Sequence, residues 1–170
     1  MFEIESKKPD EITIATKNKS VTINFEKYTI NGDLEVGLIN GPGEFEIGDI
    51  AIRGIATPVK GSSAEDIADG EADNKVPALS GKTIYDVEVG GIHIGIVGNI
   101  EQGLDDLGIS DILCTSSVRA VREIEPKLVI ATGNIDGMVS ELKLSARTEK
   151  KLKVKNVDAL PMTLEVVSLN

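Results

Sequence analysis

From Glu11 to Ala56 the chain sets an apolar residue at nearly every second position in short runs, and each run is cut by residues that turn. Glu11-Ile12-Thr13-Ile14-Ala15-Thr16 and Ser20-Val21-Thr22-Ile23-Asn24-Phe25 alternate apolar with polar, and Lys17-Asn18-Lys19 lies between them. Successive side chains of a strand leave opposite faces, so period two marks strands buried on one side, and this pair predicts a hairpin. Tyr28 to Ile30, Leu34 to Ile39, Phe45 to Ile47 and Ile50 to Ala56 are further strand candidates. Asn31-Gly32-Asp33, Asn40-Gly41-Pro42-Gly43 and Gly48-Asp49 separate them with turn chemistry. The 170 residues are 41% hydrophobic yet only 3% aromatic, with no tryptophan. A core of that composition is built of Ile, Val and Leu, which favours sheet, and the length suits a single domain over 1–170.

Thr83 to Val97 is the clearest hairpin, with Gly90-Gly91 as its two-residue turn. That register sets Val89 against Ile92, Val87 against Ile94 and Tyr85 against Ile96 on one face, and Glu88 against His93 on the other. The only histidine is therefore read as a cross-strand partner of a glutamate rather than a catalytic group. Further on, Asp111-Ile112-Leu113-Cys114 and Pro126 to Ala131 are short apolar runs. They flank Ser117 to Glu123 and Ile124, where Val118, Val121 and Ile124 recur at helical spacing. Strand, helix and strand of that length predict a crossover joining parallel strands. Val139 to Ala146 fits helix or strand equally. Lys151 to Val154 and Thr163 to Leu169 read as closing strands, with Leu160-Pro161 as the bend between them.

Charge excludes several functions. The formal net charge is −10, which repels phosphate backbones and anionic lipid, so neither nucleic acid nor membrane is an expected partner. No apolar run approaches the roughly 20 residues of a membrane span. A lone cysteine, Cys114, precludes an internal disulfide, and the first residues show neither a basic n-region nor a continuous apolar stretch. A cytoplasmic location is expected on these grounds. Residues 58–82 are rich in Gly, Ser, Ala and acids without periodicity and are expected to form a flexible acidic loop. Asp66 to Asp73 lacks the alternating oxygen ligands and distal glutamate of a calcium loop.

Five stretches carry a resemblance. "GPGEFEIGDIAIRGI" (Gly41 to Ile55), "GKTIYDVEVGGIHIGIVGNI" (Gly81 to Ile100), "DILCTSS" (Asp111 to Ser117), "IEPKLVIATGN" (Ile124 to Asn134) and "LPMTLEVVSL" (Leu160 to Leu169) resemble, in this order, the small lactonase-like branch of the metallo-β-lactamase superfamily. The resemblance implies a β-rich, mixed α+β fold: a truncated αββα sandwich of two packed sheets with few helices. It also implies a metal site at one edge, where active members hold one or two ions, commonly zinc or manganese. The ion lowers the pKa of its bound water towards ~7 and so supplies a hydroxide that opens esters, lactones or phosphodiesters.

The ligands that the family uses are missing from this sequence. One histidine in the whole chain cannot make the family's HxHxDH loop, and the chain runs from Thr29 to Asn40 directly into Gly41-Pro42-Gly43 where that loop would fall. The strand that ends in Gly-Asp in active relatives ends here in Gly98-Asn99. The terminal ligand histidine falls at about Gly133 in Thr132-Gly133-Asn134, and Pro58-Val59-Lys60-Gly61 stands where many relatives place another. Asn99, Gly133 and Asn134 are therefore expected to be vestigial site positions, with no catalytic residue, no metal ligand and no cofactor. The expected function is that of a pseudoenzyme, a binding or self-assembly module. The alternative is a hydrolase of esters, lactones or phosphodiesters whose non-standard metal site draws on Asn99, Asn134 and acids of 58–82. Deleting the metal loop exposes sheet edge and apolar surface, so a homo-oligomer, or another protein partner, is expected to cover it. Other chemistry is less well supported. Cys114 ends an apolar strand and reads as core, nothing in the sequence brings His93 to it, Ser116-Ser117 reads as surface, and Lys150-Lys151 with Lys153 to Lys155 makes a small basic patch.

Overall fold

The computed structural model describes residues 1–8, 10–32, 37–58 and 82–170. Two β-sheets pack face to face. The first has six strands in the order β13-β1-β2-β3-β4-β5: β1 (Phe2–Lys8), β2 (Glu11–Ala15), β3 (Ser20–Asn24), β4 (Thr29–Asn31), β5 (Leu38–Ile39) and β13 (Lys151–Val154). The second has eight in the order β12-β14-β11-β10-β9-β8-β7-β6: β6 (Gly43–Ile47), β7 (Ile50–Ala56), β8 (Thr83–Val89), β9 (Ile92–Gly98), β10 (Ile112–Thr115), β11 (Leu128–Ala131), β12 (Ala146–Glu149) and β14 (Glu165–Leu169). The expected β-rich two-sheet sandwich is the fold. The expected loop over 58–82 lies outside the described residues except for its ends, Pro58 and Lys82, and only the end of the Leu34 to Ile39 candidate is described, as β5.

The alternation read from the sequence divides the side chains between two cores. Ile4, Ile12, Ile14, Ile23 and Ile30 of the first sheet meet Ile52, Val87, Ile94, Cys114 and Ile130 of the second in one apolar layer between the sheets. Each such isoleucine, fully withdrawn from water, contributes about 1.5–3 kcal/mol. The intervening residues of the second sheet, among them Val97, Leu113, Val129 and Val166, point the other way and pack under Ala120 and Val121 of α1 (Val118–Ile124) and Met138 of α2 (Ile135–Leu142). Strands such as β10 and β11 are thus apolar on both faces, as a parallel, helix-covered layer requires. Ser117 caps α1 by accepting the Ala120 N–H at 3.2 Å, and Asn134 caps α2 through the Gly137 N–H at 3.1 Å. Among the described residues no helix is long and apolar enough to cross a membrane.

Registers follow the turns. Gly90 and Gly91 both have positive φ, the type I′ geometry, and Val89 faces Ile92, Val87 faces Ile94 and Tyr85 faces Ile96 as the spacing predicts. The strand-helix-strand unit gives parallel β10 and β11. The undecided stretch from Val139 to Ala146 resolves into the end of α2, a left-handed Lys143, and the start of β12. The basic patch is partly neutralised: Lys151 lies 2.8 Å from Glu3 and 3.3 Å from Glu5, and Lys153 lies 3.3 Å from Glu3.

Asp111 fastens one end of the parallel strands. Its backbone N–H donates to the His93 carbonyl at 2.9 Å, and its carbonyl accepts from Lys127 and Leu128 at 3.0 and 3.2 Å. Its carboxylate takes the His93 N–H at 3.2 Å and the Lys127 ammonium at 3.0 Å. One residue thereby joins the starts of β9, β10 and β11.

Candidate functional site

The opposite end of these strands is the candidate site. Gly98 of β9, Thr115 of β10 and Ala131 of β11 lie abreast in the register. In open sheets with parallel strands the carboxyl ends, where loops leave the strands, are where ligands bind. The Gly98 carbonyl is held by three donors from β10 and its end: Ser116 N–H at 2.9 Å, Thr115 Oγ1 at 2.8 Å and Ser116 Oγ at 3.4 Å. Gly98 itself has φ of +60°, and a Cβ there would meet the Tyr28 ring at 3.4 Å. Glycine is thus favoured both by the turn and by the aromatic side chain laid against it.

Asn99 is exposed and enters a small polar network. The Tyr28 hydroxyl donates to Asn99 Oδ1. The Lys82 ammonium lies 3.1 Å from the Tyr28 hydroxyl, 3.5 Å from Asn99 Oδ1 and 4.5 Å from the centre of the Tyr28 ring, a cation-π arrangement. Tyr28 reaches the corner from a left-handed backbone, φ +52°, uncommon for a bulky residue. The buried Tyr85 hydroxyl donates to the Tyr28 carbonyl at 2.8 Å and accepts from the Gly41 N–H at 3.3 Å. Burial pushes the Tyr85 phenol above its ordinary pKa, against a smaller opposing effect of the Gly41 N–H.

The other two positions stand apart from this network. A Cβ on Gly133 would lie 3.6 Å from Ser116, so Gly133 borders the end of β10. Asn134 spends its Oδ1 on the cap of α2. With β10 between them, β9 and β11 are about 10 Å apart at strand spacing. His93 opposes Glu88 as the register predicts, but its ring turns to Asp86. Nδ1 lies 3.2 Å from both carboxylate oxygens, because Asp86 is two residues along on the same face and is 8% exposed. The His93 backbone is at the Asp111 end of β9, some 20 Å of strand from Asn99. Cys114 is sealed in the layer between the sheets, where burial raises its thiol pKa strongly.

The corner does not fit a zinc or manganese ion. Such ions take imidazole, thiolate or carboxylate donors, whereas here an amide oxygen, a phenol and an ammonium converge. The ammonium already supplies a positive charge at Asn99. Among the described residues no group of three or more His, Cys, Asp or Glu could hold a metal ion. The acids of 58–82 proposed for a non-standard site lie outside the described residues. Sequence reading did not find Tyr28 and Lys82; the one available signal was that both flank segments predicted to border the site, Tyr28 before the missing loop and Lys82 before the hairpin.

No family model matches the chain, and no curated protein matches it. Among solved structures it is similar to a protein from Thermotoga maritima assigned as a zinc-dependent hydrolase of the metallo-β-lactamase superfamily, with a TM-score of 0.62 and 13% identity over 100% of both chains. At that identity the likeness is one of fold.

Proposed function

We propose that this chain is a non-catalytic protein on a metallo-β-lactamase-like scaffold, acting as a binding or self-assembly module. The observation that supports the reading is the Lys82–Tyr28–Asn99 network at the strand ends. Where a hydrolase of this fold needs a cation gripped by anionic or imidazole donors, a lysine of the chain itself brings the charge and an asparagine accepts from it. An ammonium can neutralise an anion, but it cannot ionise a water as a divalent metal does.

The test is elemental analysis of protein purified without chelator, combined with light scattering and hydrolysis assays on ester, lactone and phosphodiester substrates. A metal-free protein that assembles with itself or with a protein partner and turns over none of these substrates is the expected result. Stoichiometric zinc or manganese, or turnover abolished by Asn99→Ala, overturns the proposal.

A further inference from the structure

We propose that β6, at the edge of the eight-stranded sheet, takes up an extended basic peptide segment as an added antiparallel strand. β6 ends the eight-stranded sheet and pairs only with β7 among the described residues. Gly48 has positive φ and Asp49 does not, so Gly48-Asp49 forms the type II′ turn that closes a two-residue hairpin at Ile47 and Ile50. In such a hairpin Ile47, Phe45 and Gly43 exchange their backbone hydrogen bonds with β7. The N–H and C=O groups of Glu44 and Glu46 then face outward, away from β7, with no partner among the described residues.

The same two residues carry the charge. Glu44 and Glu46 are exposed and share the outer face with Arg53 and Ala51, their partners in register. Neither glutamate forms an ion pair with a described residue. On this face the strands from β6 to β9 line an open groove of about 630 Å³ that also reaches Glu88. Its arginine is already committed, with Arg53 3.6 Å from Asp86 and 3.1 Å from the Leu107 carbonyl. An added strand would therefore offer its backbone to Glu44 and Glu46 and set lysine or arginine side chains beside their carboxylates. Alternate apolar residues would turn inward beside Phe45, which packs on the inter-sheet core. Strand addition works in this way, with main-chain bonds giving affinity and alternate side chains giving selectivity. A second copy of β6 is the wrong occupant, because antiparallel self-pairing sets glutamate against glutamate. Guarding charges on an edge repel acidic and apolar strands and admit a basic one.

The inference holds whether or not the corner at Asn99 is catalytic. Its test is fluorescence anisotropy of the intact protein with the labelled peptide Lys-Val-Lys-Val-Lys. Two backbone-methylated versions of the same charge are compared, one methylated on the lysine nitrogens and one on the valine nitrogens. Opposite Glu44 and Glu46 the lysine N–H groups pair with β6, so lysine methylation is expected to weaken binding about tenfold or more and valine methylation to leave it within a few-fold. Glu44→Gln with Glu46→Gln is expected to weaken the parent peptide about tenfold, with amide NMR shifts on peptide addition centred on Glu44 to Ile47. Absence of binding by the parent peptide, equal binding of both methylated peptides, undiminished binding by the double variant, or a dimer that the double variant strengthens would each overturn it.

Discussion

Replacing Tyr85 by phenylalanine removes one oxygen atom and leaves the ring in place, which isolates what the hydroxyl does. That oxygen donates to the Tyr28 carbonyl at 2.8 Å and accepts from Gly41 N–H at 3.3 Å, and Tyr85 is 1% exposed. Two neutral hydrogen bonds, one of them long, with their backbone partners left short of a replacement, amount to about 1–3 kcal/mol. For a domain of 170 residues that is a fall in melting temperature of roughly 3–10 °C. Urea unfolding followed by circular dichroism should show a lower midpoint with an unchanged slope. The effect should also couple to the corner, since the Tyr28 carbonyl that Tyr85 holds belongs to the left-handed residue whose side chain reaches Asn99. A cycle of Tyr85→Phe with Tyr28→Phe is expected to depart from additivity by about 0.5 kcal/mol or more. Alkali gives an independent check. Burial raises the folded phenol above its ordinary value of 10.0, so its contribution is complete below that pH and is lost as pH climbs past it. The gap between wild type and Tyr85→Phe should therefore narrow above about pH 10. A variant as stable as wild type at neutral pH, or a gap constant to high pH, would refute the reasoning.

Three further outcomes are expected. Gly54→Ala would drive a Cβ into the Gly41 carbonyl and to 3.1 Å from Pro42 Cα; because backbone cannot swing aside, a loss of about 1–3 kcal/mol or more is expected in a thermal melt. Cys114, sealed in the core with its thiol pKa raised by burial, should resist a thiol reagent in native protein and react in urea at the rate of unfolding. Glu3 is held below the usual carboxylate range by hydrogen bonds first from Lys151 and then from Lys153. Its contribution should be present at neutral pH and fade as acid protonates it, so wild type and Glu3→Gln should converge as pH falls through and below the usual carboxylate range and differ less in high salt.

Most of the sandwich was legible because alternation and turns are local signals. The Gly90-Gly91 turn set the register from Tyr85 to Ile96, and Val118, Val121 and Ile124 announced α1 between two parallel strands. What escaped lacked such a signal. β12, Ala-Arg-Thr-Glu, is a polar edge strand with no apolar residue larger than alanine, and in β1 Phe2 and Ile4 are the only buried side chains among those described. α2 was obscured because Ile135 to Leu142 contains a glycine and one buried side chain, Met138. At the site, Asn99 and Gly133 each follow a recognisable strand, and the ends of those strands lie on either side of β10. Lys82 and Tyr28 could not be foreseen, because their meeting with Asn99 spans 17 and 71 positions of sequence and depends on how the two sheets stack.

Asp111 rivets the parallel strands at the end away from the corner. Everything that joins β9, β10 and β11 there is made by backbone and by a carboxylate whose partners are His93 and Lys127, none of it at the corner where loops leave. A scaffold fastened in this manner does not lean on the side chains of the corner: a change at Asn99 or Lys82 leaves the Asp111 fastening in place. Such a construction separates the question of whether the molecule stands from the question of what it does.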